Sequence, residues 1–454
     1  MAKLSPYNHF FPYRGDYYLA FNAFTGAVAM MTSDNYATYL GLVDKLNGNG
    51  SSSFTAEESD LLDQLRHGRF VYDDAVDQFD WLKFRYRRAR QENGSLGLVI
   101  APTLACNMAC RYCFEGNKTG RMSARVVESI IGFIERQAPK LKDLQISWYG
   151  GEPLLAIDII EDITESVFDL AREHKFKYAA SMISNGYLLS RETVDRLVSL
   201  KVSQVQVTLD GPSAIHNDKR PLKNGRESFE TIIRNLQYAV EKMPITVRVN
   251  IDQSFTPEMI RQMTEELSAA GLRDRVGVYF GMIEPATAAC ANISENCFET
   301  RSYSQTELAL SNELLNQGFR IEKLPGPILN FCFAQLTNSF LIDPDGDLYR
   351  CFNYVGDKSK ATGNIARDID YQHAEFIRLF NFDPFEEKSC RECSILPVCM
   401  GGCPARRSDR TLPTEEYCDS WKFNLAPMLE VIARSRQQQM ARQGTPTPST
   451  KESV

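Results

Sequence analysis

The chain has 454 residues and a formal net charge of −7, from 51 basic and 58 acidic side chains. Its 43% hydrophobic and 24% charged content is ordinary for a globular protein; it excludes a disordered or collagen-like chain, and the length suits two or three domains. The acidic balance gives no reason to expect nucleic acid, no apolar run is long enough to span a membrane, and the first residues lack a signal-peptide core, so the sequence predicts a cytoplasmic protein.

Residues 1–95 read as a separate unit. Tyr17–Asn22 and Gly26–Met31 are short β-rich runs flanking a turn at Thr25-Gly26, which predicts a hairpin. Helical stretches follow at Ser33–Leu46 and Thr55–His67, with Thr55 placed to cap the second and acids in its first turn. From Leu96 the pattern alternates. Apolar runs at 96–101, 144–149, 178–183, 205–209, 245–251 and 276–282 predict six strands. Amphipathic runs at 124–136, 157–173, 191–200, 229–243 and 257–270 predict the helices between them. Such alternation specifies a parallel βα protein, whose chemistry sits in the loops at the C-terminal ends of the strands. From about Ile321 the helical period fades while Cys, Gly and Pro rise, and bound metal can staple a region of that kind. The last fifteen or so residues are polar and predict a disordered end.

The twelve cysteines are clustered. None lies in the first 105 residues; three are at 106, 110 and 113, two at 290 and 297, and seven between 332 and 418. A reducing compartment disfavours disulfides, and clustered thiolates there read as ligands for iron–sulfur clusters or zinc. Cys106, Cys110 and Cys113 form a CxxxCxxC loop directly after the first strand of the alternating region. Three thiolates leave one iron of a four-ligand cubane open, and an open metal position can chelate a substrate. Gly150-Gly151-Glu152-Pro153 ends the next strand. Glycines allow a close backbone approach, and Glu152 offers a carboxylate to a cation.

These motifs resemble the radical S-adenosylmethionine (radical SAM) family. The resemblance implies a partial six-stranded βα barrel in which the open iron binds S-adenosylmethionine and drives formation of a 5′-deoxyadenosyl radical. It places Cys106, Cys110 and Cys113 on the catalytic cluster, Gly150, Gly151 and Glu152 at the methionine ammonium, and Tyr112 near the adenine. It also sets Ser184 and Asn185, Thr208 and Asp210, at the ends of the third and fourth strands, along the cosubstrate. Arg248 and Asn250 share one face of the fifth strand and point toward the same space.

The tail reads Cys332-x13-Gly346-x4-Cys351, then Cys390-x2-Cys393-x5-Cys399-x3-Cys403, then Cys418. This resembles the SPASM extension of radical SAM enzymes, which implies two auxiliary 4Fe–4S clusters and therefore three in all. Cys390, Cys393, Cys399 and Cys418 would hold the outer one, and Cys332, Cys351 and Cys403 the inner one. The inner set's fourth ligand is Cys297 or Cys290, or its iron stays open. Asp343 to Asp347 looks like part of a calcium loop but is too short, and reads as a β-turn. The five histidines form no motif; His216, six residues after Asp210, reads as a loop histidine without a role.

The resemblance divides the chain into an N-terminal winged-helix-like module at 1–95, which either binds a leader peptide or merely packs on the core, a radical SAM core at 96–320, a SPASM domain at 321–425 and a C-terminal segment at 426–454. It implies a maturase that oxidises a ribosomally made precursor peptide, with an electron donor such as flavodoxin or ferredoxin. Thioether cross-linking heads the reactions. The alternatives are other peptide or protein cross-links, formylglycine formation in sulfatases and, in a different class, a non-catalytic iron–sulfur electron carrier. Sulfatase-maturating relatives carry an Asp after the cysteine matching Cys351, where this chain has Phe352-Asn353.

Overall fold

The structure, a computed structural model, describes residues 2–48, 53–73, 75–116, 118–284, 293, 295–329, 331–367, 369–407 and 413–442. Cys290 and the expected disordered end from 443 onward lie outside these residues. No helix among the described residues is long and apolar enough to cross a membrane.

The N-terminal unit is built on an antiparallel sheet of β2 (Asn8–Tyr13), β3 (Tyr17–Asn22) and β4 (Ala27–Thr32), so the expected hairpin gains a third strand. A short β1 (Lys3–Leu4) pairs with β5 (Val71–Tyr72) and closes the unit on itself. Between them lie α1 (Ser33–Asn47) and α2 (Ala56–His67). Thr55 caps α2 through a reciprocal bond with Glu58, which satisfies two of the helix's orphan amides. Next comes α3 (Gln78–Arg90), whose Tyr86 is fully buried and donates to Phe382 O at 3.0 Å. Helix α3 is therefore part of the core's foundation, although it lies inside the unit expected at 1–95.

The six expected strands are β6 (Ser95–Ile100), β7 (Asp143–Trp148), β8 (Lys177–Ser184), β9 (Val202–Thr208), β10 (Ile245–Ile251) and β11 (Val276–Met282), all parallel and in sequential order. Helices α4 (Ala124–Gln137), α5 (Ile157–His174), α6 (Arg191–Ser199), α7 (Ser213–Lys219), α8 (Phe229–Ala239) and α9 (Pro257–Ala269) connect them. Ser123, Ser190 and Thr256 cap α4, α6 and α9 with side-chain oxygens. Helix α7 was not expected, and α8 ends at Ala239, four residues short of the expected Met243. Leu96, Leu98 and Ile100 point from β6 into the apolar layer under the helices, which leaves Ser95, Gly97 and Val99 on the concave side.

The tail extends this sheet. After α10 (Thr300–Asn316), Ile321 bridges to Val278 at the β11 edge. At the opposite edge β12 (Ser339–Ile342) pairs parallel with β6, and β13 (Leu348–Tyr349) folds back on it. Short helices α11 (Ala374–Phe380), α12 (Lys388–Arg391), α13 (Leu396–Cys399) and α14 (Pro404–Arg407) follow; Cys390 lies on α12, Cys399 on α13, and Cys393 and Cys403 in the connections beside them. The last helix, α15 (Trp421–Arg442), runs across the expected boundary at 425 and lies on α10, where Asn424 Nδ2 donates to Ser304 O at 3.0 Å.

Candidate active site

Cys106, Cys110 and Cys113 stand on the loop after β6, at the C-terminal ends of the strands, as the βα pattern requires. Backbone packing holds this loop from two sides. On one side its backbone zips to the stretch after α7: Ala109 N donates to Pro221 O at 2.8 Å and Lys223 N to Asn107 O at 2.9 Å. On the other side it is clamped by the Gly150-Gly151 turn. Gly150 has φ +112°, and a Cβ there would lie 2.3 Å from Thr103 O; one on Gly151 would lie 2.5 Å from the carbonyl oxygens of Leu104 and Ala105. The glycines are thus required by contact with the cysteine loop itself, a reason beyond the close ligand approach expected from sequence.

Glu152 is fully buried and its carboxylate is already engaged. It accepts from Leu154 N at 3.1 Å, Ser184 Oγ at 3.0 Å and Asn185 N at 2.8 Å. It ties the end of β7 to the end of β8, a strut more than the free acceptor for a cation expected from sequence. Burial pushes it up to about 7 despite these bonds. Asn185 reaches on to the cysteine loop, donating to Asn107 Oδ1 at 2.7 Å.

A second network joins β9 and β10 to the loop. Tyr112 donates to buried Asp210 and accepts from Arg220 at 2.5 Å and from Asn250 Nδ2 at 3.1 Å. Asp210 also accepts from Asn250 N at 2.9 Å and pairs with Arg220 at 3.5 Å. Arg248 lies beside Asn250, donating to its Oδ1 at 2.8 Å, and Thr208 is buried in register with it. Sequence reasoning missed Arg220, which is buried with its Nε unpartnered. A lone arginine after a short helix leaves no pattern to find. It also missed Glu115, a buried carboxyl that burial pushes up to about 7, with Tyr149 as its hydrogen-bond partner.

His216 is fully buried rather than a loop residue. Its Nδ1 accepts from Asp210 N at 3.2 Å, which leaves the proton on Nε2, 3.1 Å from Ser228 Oγ. Burial holds the ring well below its ordinary value of 6.5. A group depressed in the folded state contributes stability above its unfolded pKa that is lost as pH falls. Stability should therefore drop below pH 6.5 by up to about 1.4 kcal/mol per pH unit from this ring. Thermal melts of His216→Gln should show a shallower acid limb; a limb identical to the wild type would remove the ring from this account.

Two neighbourhoods of tail cysteines are seen. Burial raises Cys351 to about 12, with Cys403, Cys332 and Glu284 as its charged neighbours. It raises Cys399 to about 12 beside Cys418 and Cys390, and Cys418 is also near Cys393. Arg407 donates to Cys390 Sγ at 2.9 Å and Lys422 to Cys393 Sγ at 3.4 Å. Buried Arg350 anchors the inner set, donating to the carbonyls of Ala334, Leu336 and Ser339 between Cys332 and Cys351. Cys297 lies near β10, its carbonyl accepting from Gln253 at 2.6 Å.

The donor sets fit iron–sulfur clusters. Burial raises all three loop thiols, Cys106 to about 12, so thiolates there need a cationic partner that a metal supplies. Sulfurs around one zinc sit about 3.8 Å apart, yet among the described residues the acidic trio Asp343, Asp345 and Asp347 alone brings three ligand atoms within 4.8 Å of one another. That trio sits in the expected turn between β12 and β13 and is bridged by Lys358, 2.6 Å from Asp345 and 2.5 Å from Asp347.

A three-cysteine loop at the C-terminal end of a parallel βα sheet, clamped by a glycine turn, is the arrangement of a radical SAM domain. Residues 100–267 match the family described as the Radical SAM superfamily and form its domain here. The mycofactocin maturase MftC of Mycolicibacterium smegmatis is 27% identical over 359 residues, covering 72% of this chain and 83% of that protein. A cysteine-type anaerobic sulfatase-maturating enzyme of Clostridium perfringens is 27% identical over 365 residues, covering 72% and 94%. Among solved structures, anSMEcpe with bound AdoMet and Cp18Cys peptide has a TM-score of 0.58 at 22% identity, covering 75% of this chain and 99% of that one. Streptococcus suis SuiB bound to precursor peptide SuiA has a TM-score of 0.52 at 16% identity, covering 92% and 98%.

Proposed function

We propose that this enzyme is a maturase of a ribosomally made peptide and that it forms a thioether between a cysteine sulfur and an unactivated carbon. The observation that carries this reading is the three-cysteine loop on the sheet together with two further cysteine sets in the tail. A thioether forms with loss of one C–H and one S–H hydrogen, a two-electron oxidation, and auxiliary clusters give the second electron a route out. The relatives are maturases by name, which supports the class of reaction.

The cluster of the Cys106 loop, with S-adenosylmethionine, would supply the hydrogen-abstracting radical. The chain's own residues fix where it acts. Glu152 and Asn185 hold the loop from the β7–β8 side, and Asp210, Tyr112 and Arg220 hold it from the β9–β10 side. Arg248 projects beside them, with no acceptor for its terminal nitrogens among the described residues, and is suited to a carboxylate of cosubstrate or peptide. The inner set would be filled by Cys332, Cys351 and Cys403, with its fourth position taken by Cys297 or Cys290 or left to a substrate thiolate. A ferredoxin- or flavodoxin-type donor would supply the reducing electron.

Sulfatase maturation is disfavoured by position 352. Phe352 packs edge-on against Tyr149 at 4.9 Å and Phe333 at 5.2 Å, so an aromatic cluster stands where a carboxylate base is expected in sulfatase-maturating relatives.

The test is the mass of a short peptide encoded beside the gene, after anaerobic incubation with reconstituted enzyme, S-adenosylmethionine and reductant. Loss of two hydrogens and one alkylatable thiol is expected. Loss of two hydrogens with thiols intact would replace the thioether by another cross-link. Deoxyadenosine release with no peptide change would overturn the peptide reading.

The N-terminal unit would bind the leader, raising the local concentration of the core peptide. Because α3 is buried against the tail, the deletion that tests this must stop before it. Removing residues 2–73 is expected to weaken leader binding by at least about tenfold while S-adenosylmethionine cleavage continues. Isothermal titration with the leader peptide reads the effect, and unchanged affinity would reduce the unit to a packing extension.

A further inference from the structure

A cavity of about 770 Å³ opens at the N-terminal ends of the strands, the opposite end of the sheet from the cysteine loop. Its floor is the concave face of β6 to β9, lined by Ser95, Gly97, Gln145, Ser147, Ala179 and Ser181. Its walls are α3 and the stretch from Leu329 to Ser339, which includes the two phenylalanines flanking Cys332.

The rim combines two features. Trp81 lines the opening and Phe84 stands behind it outside the lining; they are 42% and 50% exposed, and their rings stack with centroids 5.4 Å apart. Leu329, on the opposite wall, is 55% exposed. Beside the aromatic pair stand Arg85 and Arg88, neither of which forms an ion pair among the described residues. Their neighbour Arg87, by contrast, is held by Asp383 and Glu386. The one acid on the rim, Glu92, is committed to Gly94 N at 3.0 Å. Two unpaired guanidinium groups thus face an opening on a protein whose net charge is −7.

We infer that this opening is a docking site for an extended, acidic segment of the substrate peptide, with an apolar side chain seated on the Trp81–Phe84 platform. The inference rests on the peptide-maturase reading and adds the side of approach and the chemistry of the segment. Carboxylates complement Arg85 and Arg88. Small and polar floor residues leave room for an extended backbone and offer partners to its N–H and C=O groups, which a helix would not need. The wall leads past Phe331 and Phe333 and so brings the bound chain toward the inner cysteine set.

The test uses the full-length reconstituted enzyme and fluorescence anisotropy of a labelled dodecapeptide of Glu, Ser and Leu, against the same peptide with Lys for Glu and against a thymidine dodecanucleotide. The acidic peptide should bind at least about tenfold tighter than the basic one. Arg85→Glu combined with Arg88→Glu should remove that preference, and Trp81→Ala should weaken binding with the charge preference kept. Cleavage of S-adenosylmethionine should be unchanged in all three variants. Equal binding of acidic and basic peptides, indifference to the double charge reversal, or tighter binding of the oligonucleotide would each overturn the inference. Failure of the maturase reading shows separately, as an unmodified neighbouring peptide while the anisotropy result stands.

Discussion

Replacing Cys106 by alanine is expected to reduce cleavage of S-adenosylmethionine to background while the tail keeps its iron. One thiolate of three is lost from a loop hydrogen-bonded to Asn185 and to the α7 connection, and Leu104 and Phe114 of that loop share an apolar cluster with Tyr349 and Val355 of the tail. The tail sets have their own supports in Arg350, Arg407 and Lys422. On the proposed loading of three clusters of equal size, iron content should therefore fall by about one third rather than collapse. Anaerobic reconstitution followed by iron analysis and deoxyadenosine assay measures both quantities. Undiminished cleavage would displace the catalytic assignment from this loop, and loss of all iron would show that the three sets do not load independently.

Gly150→Ala should have the second largest effect. The substitution forces an L residue to φ +112° and drives its Cβ to 2.3 Å from Thr103 O, an immovable backbone atom. Strain and overlap together cost on the order of 3 kcal/mol. Relief requires moving residues 103 to 105, which lead directly into Cys106. The variant should thus lose cluster loading at the first site as well as thermal stability. Wild-type melting with full iron content would show that the glycine turn and the cysteine loop are not mechanically joined.

Much of this was readable from residue order because the demands were local. Leu98-Val99-Ile100 announces itself as a strand apolar on both faces, and Val247, Val249 and Ile251 announce themselves by alternating with Arg248 and Asn250. Cysteine spacing is set by the geometry of a shared ligand, which is why the clustered cysteines stand out, while their division into two sets comes from the family resemblance and not from the spacing. What escaped was decided by distant partners. The four residues of β12 are too few to show a pattern, and they become a strand only because β6 lies open beside them. Glu152 reads as a free acceptor until Ser184 and Asn185 arrive from the next strand. Helix α7 hides because His216 and Asn217 are poor helix formers, held by contacts with Asp210 and Ser228.

The pairing of β12 with β6 also orders events at the ribosome. Gly97 waits for Ser339, about 240 residues later in the chain. At ordinary synthesis rates that is on the order of tens of seconds during which the first strand of the sheet presents a bare edge. The nascent chain must survive that interval unpaired. A fragment released before Ser339 would carry the Cys106 loop intact on a sheet with an open side, prone to join another copy of itself. Cys351 follows the hairpin by two residues, so the inner cysteine set can assemble only after that edge has been covered.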